Sequence, residues 1–232
     1  MALILDGLIE GLKLLLTLDP EVWSITLLSL KVSAIATLST LITGIPLGVF
    51  LALSSFPGRR FFISIVNTGM GLPPVVVGLV VTIFLWRNGP LGFMEMLYTP
   101  LAMILAQAVI AAPIVTGITI AAIQQLPSNL KLQVRALGAT KAQTVWILVR
   151  EARLPLLAAV MAGFGGVISE VGASIMVGGN IKGQTRVLTT ATVMESGKGN
   201  FEVAIALSFI LLLLTFAVNY FLTMIQQRER PR

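Results

Sequence analysis

Residues 61–86 have the sequence FFISIVNTGMGLPPVVVGLVVTIFLW, twenty-six consecutive positions without a charged side chain. A helix needs about 20 apolar residues to cross a bilayer, so this stretch predicts a membrane span. Its middle holds Gly69 and Gly71, followed by Pro73 and Pro74, which weaken a helix and remove backbone donors. Broken backbone at membrane depth occurs only where protein or a water-filled cavity surrounds it. The span is therefore expected to face the centre of a bundle, where the break either lines a path or only bends the helix.

Four other stretches are also long and apolar enough to cross a membrane as helices. The five predicted spans are residues 22–53, 61–86, 101–124, 154–177 and 203–225. Lys31 and Glu170 are the only charged residues within them. With 56% hydrophobic and 11% charged residues, the composition is typical of a protein whose solvent is mostly lipid. The predicted fold is an all-α integral membrane protein with five transmembrane helices, in which residues 21–226 form a single domain.

The basic residues are distributed unequally between the two sides of the predicted bundle. Ten of them lie at 59–60, in the segment 125–154 and in the tail 227–232, whereas five lie in the loops on the other side. Loops rich in Lys and Arg stay in the cytoplasm, so the N-terminus is predicted outside and the tail inside a prokaryotic cytoplasmic membrane. Because the net charge of +6 sits in these short loops, it does not indicate a nucleic-acid partner.

The sequence lacks the residues that most membrane enzymes would need. It has no cysteine and no histidine, which excludes thiol and imidazole chemistry and the common zinc ligand sets. The phosphate-loop pattern Gly-x4-Gly-Lys-Ser/Thr is absent, so this chain is not expected to supply an ATP site. No catalytic residue, metal site or cofactor is predicted. An ion-coupled secondary transporter of a small anion is the alternative, although its coupling-ion site would have only Glu170 to build on.

Residues 1–20 form a separate predicted element. Apolar residues recur there at helical spacing, and the charged residues share another face. This pattern predicts an amphipathic helix that lies in the membrane interface, bound either to lipid or to a delivery protein, and that ends at Asp19-Pro20. The apolar positions are Ile4, Leu8, Leu12, Leu15 and Leu16, and the charged positions are Asp6, Glu10 and Lys13.

The segment 125–154, called the elbow below, is basic and predicts two helices with a break between them. The first is expected over about 129–137, and Gly138 can take the left-handed conformation that ends it. Thr140 is suited to cap a second helix that reaches about Arg153. Attraction to anionic lipid would not require this much structure, so we favour an elbow that docks on another protein.

Several motifs resemble the permease subunits of the molybdate and tungstate ABC importers. They are SLKVS at 29–33, LPPVVVG at 72–78, SEVGASI at 169–175 and GNIKGQTR at 179–186. The run EVGASIMVGGNI at 170–181 is most similar to the tungstate-type branch. ALGAT at 136–140, followed by Leu154-Pro155, resembles the cytoplasmic coupling loop of ABC-importer permeases, although LQV stands at 132–134 where that family has Glu-Ala-Ala.

The resemblance implies a type I ABC-importer permease fold and the import of an oxyanion, either tungstate or molybdate. It also implies a homodimer with the path between its chains, two ATPase subunits that bind ATP and Mg, and an extracytoplasmic oxyanion-binding protein. Contact with the ATPase is then expected at Arg135, Ala136, Leu137, Gly138, Ala139, Thr140 and Lys141.

Lys31 and Glu170 lie at similar depths, roughly 10–12 Å below the external face at about 1.5 Å per residue. Charges inside a membrane are costly, and an unpaired carboxylate would repel a dianion on its path. We therefore predict that the two side chains form an ion pair.

The path itself is expected to use neutral groups, because fixed cations would hold a dianion too tightly. The path candidates are Asn67, Thr68, Pro73, Pro74, Ser169 and Ser174. The external-loop candidates are Asn180, Lys182 and Arg186; the two cations either attract an anion, contact the delivery protein or are ordinary solvated charges.

Overall fold

A computed structural model describes residues 2–17 and 19–228 of the chain, apart from the side chains of Ala2, Leu3 and Leu15. The predicted place of Leu15 on the apolar face, and positions 229–232 of the predicted tail, lie outside the described residues. All regular secondary structure in the described residues is helical. Its helices are α1 (Ala2–Leu16), α2 (Pro20–Leu53), α3 (Arg59–Met70), α4 (Pro74–Leu85), α5 (Pro100–Gln124), α6 (Leu130–Ala136), α7 (Lys141–Glu151), α8 (Arg153–Ile168), α9 (Gly172–Gly178), α10 (Leu188–Gly197) and α11 (Phe201–Arg228).

Three helices, α2, α5 and α11, are each long and apolar enough to cross a membrane. Two further apolar stretches are broken, because α3 meets α4 at 103° and α8 meets α9 at 58°. If each bent pair is one span, the described residues contain up to five, in agreement with the sequence prediction. Helix α10 was not predicted and lies in the loop between the last two spans, which the charge distribution predicts to be external.

The two helix breaks lie against each other. Helix α4 begins with Pro74, whose fixed φ suits the first helical position and whose missing N–H would be unpaired there in any case. Gly78, one turn later, lets α9 approach closely, since a Cβ added to it would lie 2.7 Å from the Cα of Ala173. A buried cluster that includes Val77, Met103 and Val177 packs α4 and α9 on the long helix α5.

Helices α2 and α5 pack through small residues. A Cβ added to Gly48 would lie 2.6 Å from the Cβ of Thr119, and one added to Gly44 would lie 3.1 Å from Cγ1 of Val115. Close helix approach of this kind is common in membranes, where small residues allow backbones to meet. Helices α2 and α5 therefore form the centre of the bundle, and the broken spans pack around them.

The N-terminal helix α1 packs on α11 through two glycines. A Cβ added to Gly7 would lie 2.6 Å from Cγ2 of Ile205. A Cβ added to Gly11 would lie 3.2 Å from the Cα of Ala206. Apolar side chains on α1 stay exposed, among them Ile4 and Leu16. A membrane interface is a suitable environment for them, and the position of α1 in that interface stays a prediction.

The helix limits in the elbow agree with the sequence prediction to within two residues. Gly138 has a φ of +86° and separates α6 from α7. Thr140 begins α7 with a capping box: its backbone N–H donates to Oε1 of Gln143 at 2.8 Å, and its Oγ1 accepts the Gln143 N–H at 3.3 Å. Helix α8 follows after the single residue Ala152 and contains Pro155 in its first turn.

Candidate functional site

The elbow presents apolar side chains on its outside. Leu137, beside the left-handed Gly138, is 88% exposed, and Leu132 and Trp146 are also exposed. The guanidinium of Arg150 lies 5.3 Å from the ring centroid of Trp146, within the range of a cation–π contact. Exposed apolar groups rimmed by polar residues mark a contact surface for another protein or for the membrane.

The inner side of the elbow is joined firmly to the spans. Ala152, the single residue between α7 and α8, is fully buried with Val49 of α2 and Ile123 of α5. At the start of α8, the Leu154 carbonyl accepts a hydrogen bond from Nε2 of Gln226 on α11, at 3.3 Å. The elbow therefore contacts α2, α5 and α11 directly and leads straight into α8.

A cavity of about 330 Å³ lies where the two helix breaks meet. Three of the predicted path residues, Pro73, Pro74 and Ser169, line it. The hydroxyl of Ser169 is exposed and donates to the Gly165 carbonyl at 2.7 Å. Glu170 also lines the cavity and is the only ionisable residue among the lining side chains that the structure describes.

The other predicted path residues lie elsewhere. Asn67 and Thr68 are exposed on α3 and do not line the described cavity. Ser174 is 1% exposed and accepts a hydrogen bond from Nε2 of Gln107 on α5, at 3.1 Å. Gln107 was not predicted as a functional residue, although an amide side chain in the interior of the apolar span 101–124 is a signal that could have found it. Its other amide atom, Oε1, is buried and has no partner among the described residues.

The predicted ion pair between Lys31 and Glu170 is not formed, since no salt bridge within 4.0 Å joins them in the described part of the chain. Glu170 is 8% exposed, and its Oε1 accepts the Ala173 N–H at 2.8 Å. The Glu170 carbonyl accepts the hydroxyl of Thr189 at 2.9 Å. Lys31 is exposed on α2, whereas its neighbour Val32 is buried. The carboxylate is therefore held by backbone within its own break rather than by a cation on another span.

The predicted external-loop cations face a carboxylate on α2. Nζ of Lys182 lies 2.7 Å from Oε2 of Glu21, and Nη1 of Arg186 lies 3.7 Å from its Oε1. Asn180 has a left-handed φ of +52°, and its Oδ1 is buried without a partner among the described residues. Lys182 and Arg186 thus attach the loop to the start of α2 as ion pairs.

Glu195 on α10 lies in the same loop, on the same predicted side of the membrane. Nδ2 of Asn200 donates to one carboxylate oxygen at 2.7 Å, and Nζ of Lys198 donates to the other at 2.8 Å. These hydrogen bonds, that from Asn200 first, lower the pKa of the Glu195 carboxyl. The surface near the start of α2 and α10 therefore carries paired charges of both signs.

An all-helical bundle with broken spans around a cavity and a helical elbow joined to four spans is the architecture of a membrane transport permease. Residues 44–231 match the family described as the binding-protein-dependent transport system inner membrane component, and the chain belongs to that family. It is a permease subunit, as the resemblance implied, and the family's description accords with a place in an inner membrane.

Relatives of nearly the same length are found in several prokaryotes. The chain is 42% identical to the tungstate uptake system permease protein TupB of Peptoclostridium acidaminophilum, over 98% of this chain and all of the relative. It is 35% identical to TupB of Campylobacter jejuni over 94% of this chain and 91% of the relative. The molybdenum transport system permease protein ModB of Escherichia coli K12 is 31% identical, over 85% of this chain and 93% of that protein.

The fold is also found in solved transporters. A chain of the MetNI methionine ABC transporter, in an inward-facing conformation, superposes with a TM-score of 0.73 at 21% identity and covers 91% of this chain and 95% of that one. This likeness confirms the predicted fold class, that of a type I ABC-importer permease.

Proposed function

We propose that this chain is the permease subunit of an ATP-driven importer for a tetrahedral oxyanion, tungstate or molybdate. The observation that carries the proposal is the 42% identity, over 98% of the chain, to a permease named for tungstate uptake. The cavity at the helix breaks is consistent with it, because its described lining contains no basic side chain that would hold a dianion tightly. Pro73, Pro74 and Ser169 are the path residues that this cavity favours.

The proposed assembly contains two copies of the chain with the path between them, two ATPase subunits that bind ATP and Mg, and an extracytoplasmic oxyanion-binding protein. The family's dependence on a binding protein supports the last of these partners. The charge distribution supports an N-terminus outside and a C-terminus in the cytoplasm, with the elbow on the ATPase side.

Coupling is proposed to run through the elbow. The exposed Leu137, with Gly138 and the start of α7, is the surface that an ATPase subunit would engage. When two ATPase subunits close on ATP, the elbows move together. The buried contact at Ala152 and the bond from Gln226 to Leu154 pass that motion to the spans, which open the path outward. Hydrolysis and release reverse the movement.

The experiment that tests this function is tungstate uptake by proteoliposomes that contain the chain with its ATPase and binding protein. We expect uptake that requires ATP inside the vesicles. Uptake driven by an ion gradient without the ATPase would instead support the secondary-transporter alternative and contradict the proposal.

A matched pair of variants tests the docking surface. Leu137→Asp is expected to abolish co-purification of the ATPase, because it puts a charge on an apolar contact. Phe93→Asp is the control: Phe93 is 81% exposed in the loop that precedes α5, whereas the elbow follows α5, so the two lie at opposite ends of that helix. Equal loss of the ATPase in both variants would contradict a specific role for the elbow.

A further inference from the structure

Glu170 is an ionisable side chain on the wall of the cavity at the helix breaks. It is 8% exposed, and every other described residue that lines this cavity is uncharged. No described salt bridge joins it to a basic residue. A buried carboxylate without a cation is costly to keep, so its place on a proposed anion path calls for a function.

The carboxylate is fixed in position by its own chain. Oε1 accepts the Ala173 N–H, and the Thr189 hydroxyl holds the backbone carbonyl of the same residue. Gly172 lies against α4, since a Cβ added there would be 2.8 Å from Cγ2 of Val75. The position of Glu170 relative to the cavity therefore depends on the contact between α4 and α9, the helices that follow the first and the second break.

We propose that Glu170 is an electrostatic barrier that keeps oxyanions out of the resting path. This inference rests on the proposed function. A dianion entering a cavity of about 330 Å³ would come within a few ångströms of the carboxylate, where the low dielectric leaves their repulsion strong. Movement of α9 away from α4, driven through the elbow, would carry the carboxylate off the path. The barrier would then be lifted only during an ATP-driven cycle, which prevents leakage of accumulated anion.

The test compares tungstate leakage from loaded proteoliposomes without ATP. Glu170→Gln removes the charge but keeps an oxygen that can accept the Ala173 N–H. We expect it to raise the tungstate leak about tenfold or more and to leave the leak of the neutral solute erythritol unchanged. Glu170→Ala removes both the charge and the acceptor for the Ala173 N–H, so it should leak tungstate as well and also melt at a lower temperature. Glu95→Gln, which neutralises an exposed carboxylate in the loop before α5, is the control and should not leak.

A second variant tests the charge without altering Glu170. Val109 of α5 lines the same cavity as Glu170, so the ammonium group of Val109→Lys would pair with the carboxylate and neutralise it without remaining as a free cation. Val109→Lys should raise the tungstate leak, whereas Val109→Met, of similar length and uncharged, should not.

Wild-type leak rates in both Glu170→Gln and Val109→Lys would contradict the proposal that Glu170 is a barrier. An equal rise in tungstate and erythritol leaks would also overturn it, because it would indicate a loosened bundle. Failure of the wild type to import tungstate with ATP would instead contradict the proposed function.

Discussion

The elbow and the paired helix breaks both interrupt helices, but different contacts fix them. In the elbow, Gly138 ends α6 by its own left-handed backbone, and Thr140 starts α7 through Gln143, three residues away. At the breaks, the partners are distant in sequence: Gly78 faces Ala173, and Gln107 bonds to Ser174 across 67 residues. The elbow is therefore defined by local sequence and can move as a unit. The breaks exist only as part of the packed bundle, so changes there should destabilise the whole protein.

The largest expected effect is at the contact between the two breaks. Gly78→Val would place side-chain atoms where the Cα of Ala173 leaves no room, so α4 and α9 would have to separate. Overpacking of this kind costs about 1–3 kcal/mol or more. We expect a clearly lower melting temperature of the purified protein. Gly165→Ala is the matched control, because a Cβ there meets nothing within 4 Å. An unchanged melting temperature for Gly78→Val would show that the breaks are not a packed unit.

A smaller loss is expected for the polar contact inside the bundle. Ser174→Ala would leave the buried amide donor of Gln107 unpaired, at a cost of about 1–3 kcal/mol. The double variant Gln107→Leu with Ser174→Ala removes both polar groups and should be more stable than Ser174→Ala alone. Ser169→Ala is the control, since its exposed hydroxyl bonds only within α8. Gln107→Leu alone completes the cycle, and additive melting-temperature changes across it would mean that the hydrogen bond does not couple α5 to α9.

The same contrast explains which features could be predicted from the sequence. The elbow helices and the five apolar stretches follow from local signals: glycine, capping residues, proline and length. The ion pair between Lys31 and Glu170 was inferred from depth alone, which fixes position along a helix axis but not direction around it. Successive residues turn by about 100°, so Lys31 lies on the exposed face of α2 although Val32 beside it is buried. The role of Gln107 depends on a partner on another helix, which no local pattern identifies.

An intermediate effect, confined to the elbow, is expected at Gly138. Its φ of +86° costs other residues about 1–2 kcal/mol, and a β-branched side chain is the least tolerant. A Cβ added to Gly138 would meet nothing within 4 Å, so a substitution there tests the backbone conformation and not the packing. Gly138→Val should keep the melting temperature of the bundle but uncouple ATP hydrolysis from uptake. Gly138→Asn should keep ATP hydrolysis coupled to uptake, because asparagine tolerates the left-handed region. A lowered melting temperature for Gly138→Val would show that the elbow is not independent of the bundle.

The smallest effect is expected at the cap of α7. Thr140→Ala removes the acceptor for the Gln143 N–H and half of the capping box, a loss of about 1 kcal/mol at a partly exposed helix end. Because the cap is local, hydrogen exchange should quicken for the amides of the first turn of α7 and stay unchanged in α5 and α8. Thr140→Ser keeps the hydroxyl and serves as the control. Faster exchange that spread into α8 through Ala152 would show that the elbow and the spans unfold together, and the elbow would then have to be regarded as part of the bundle.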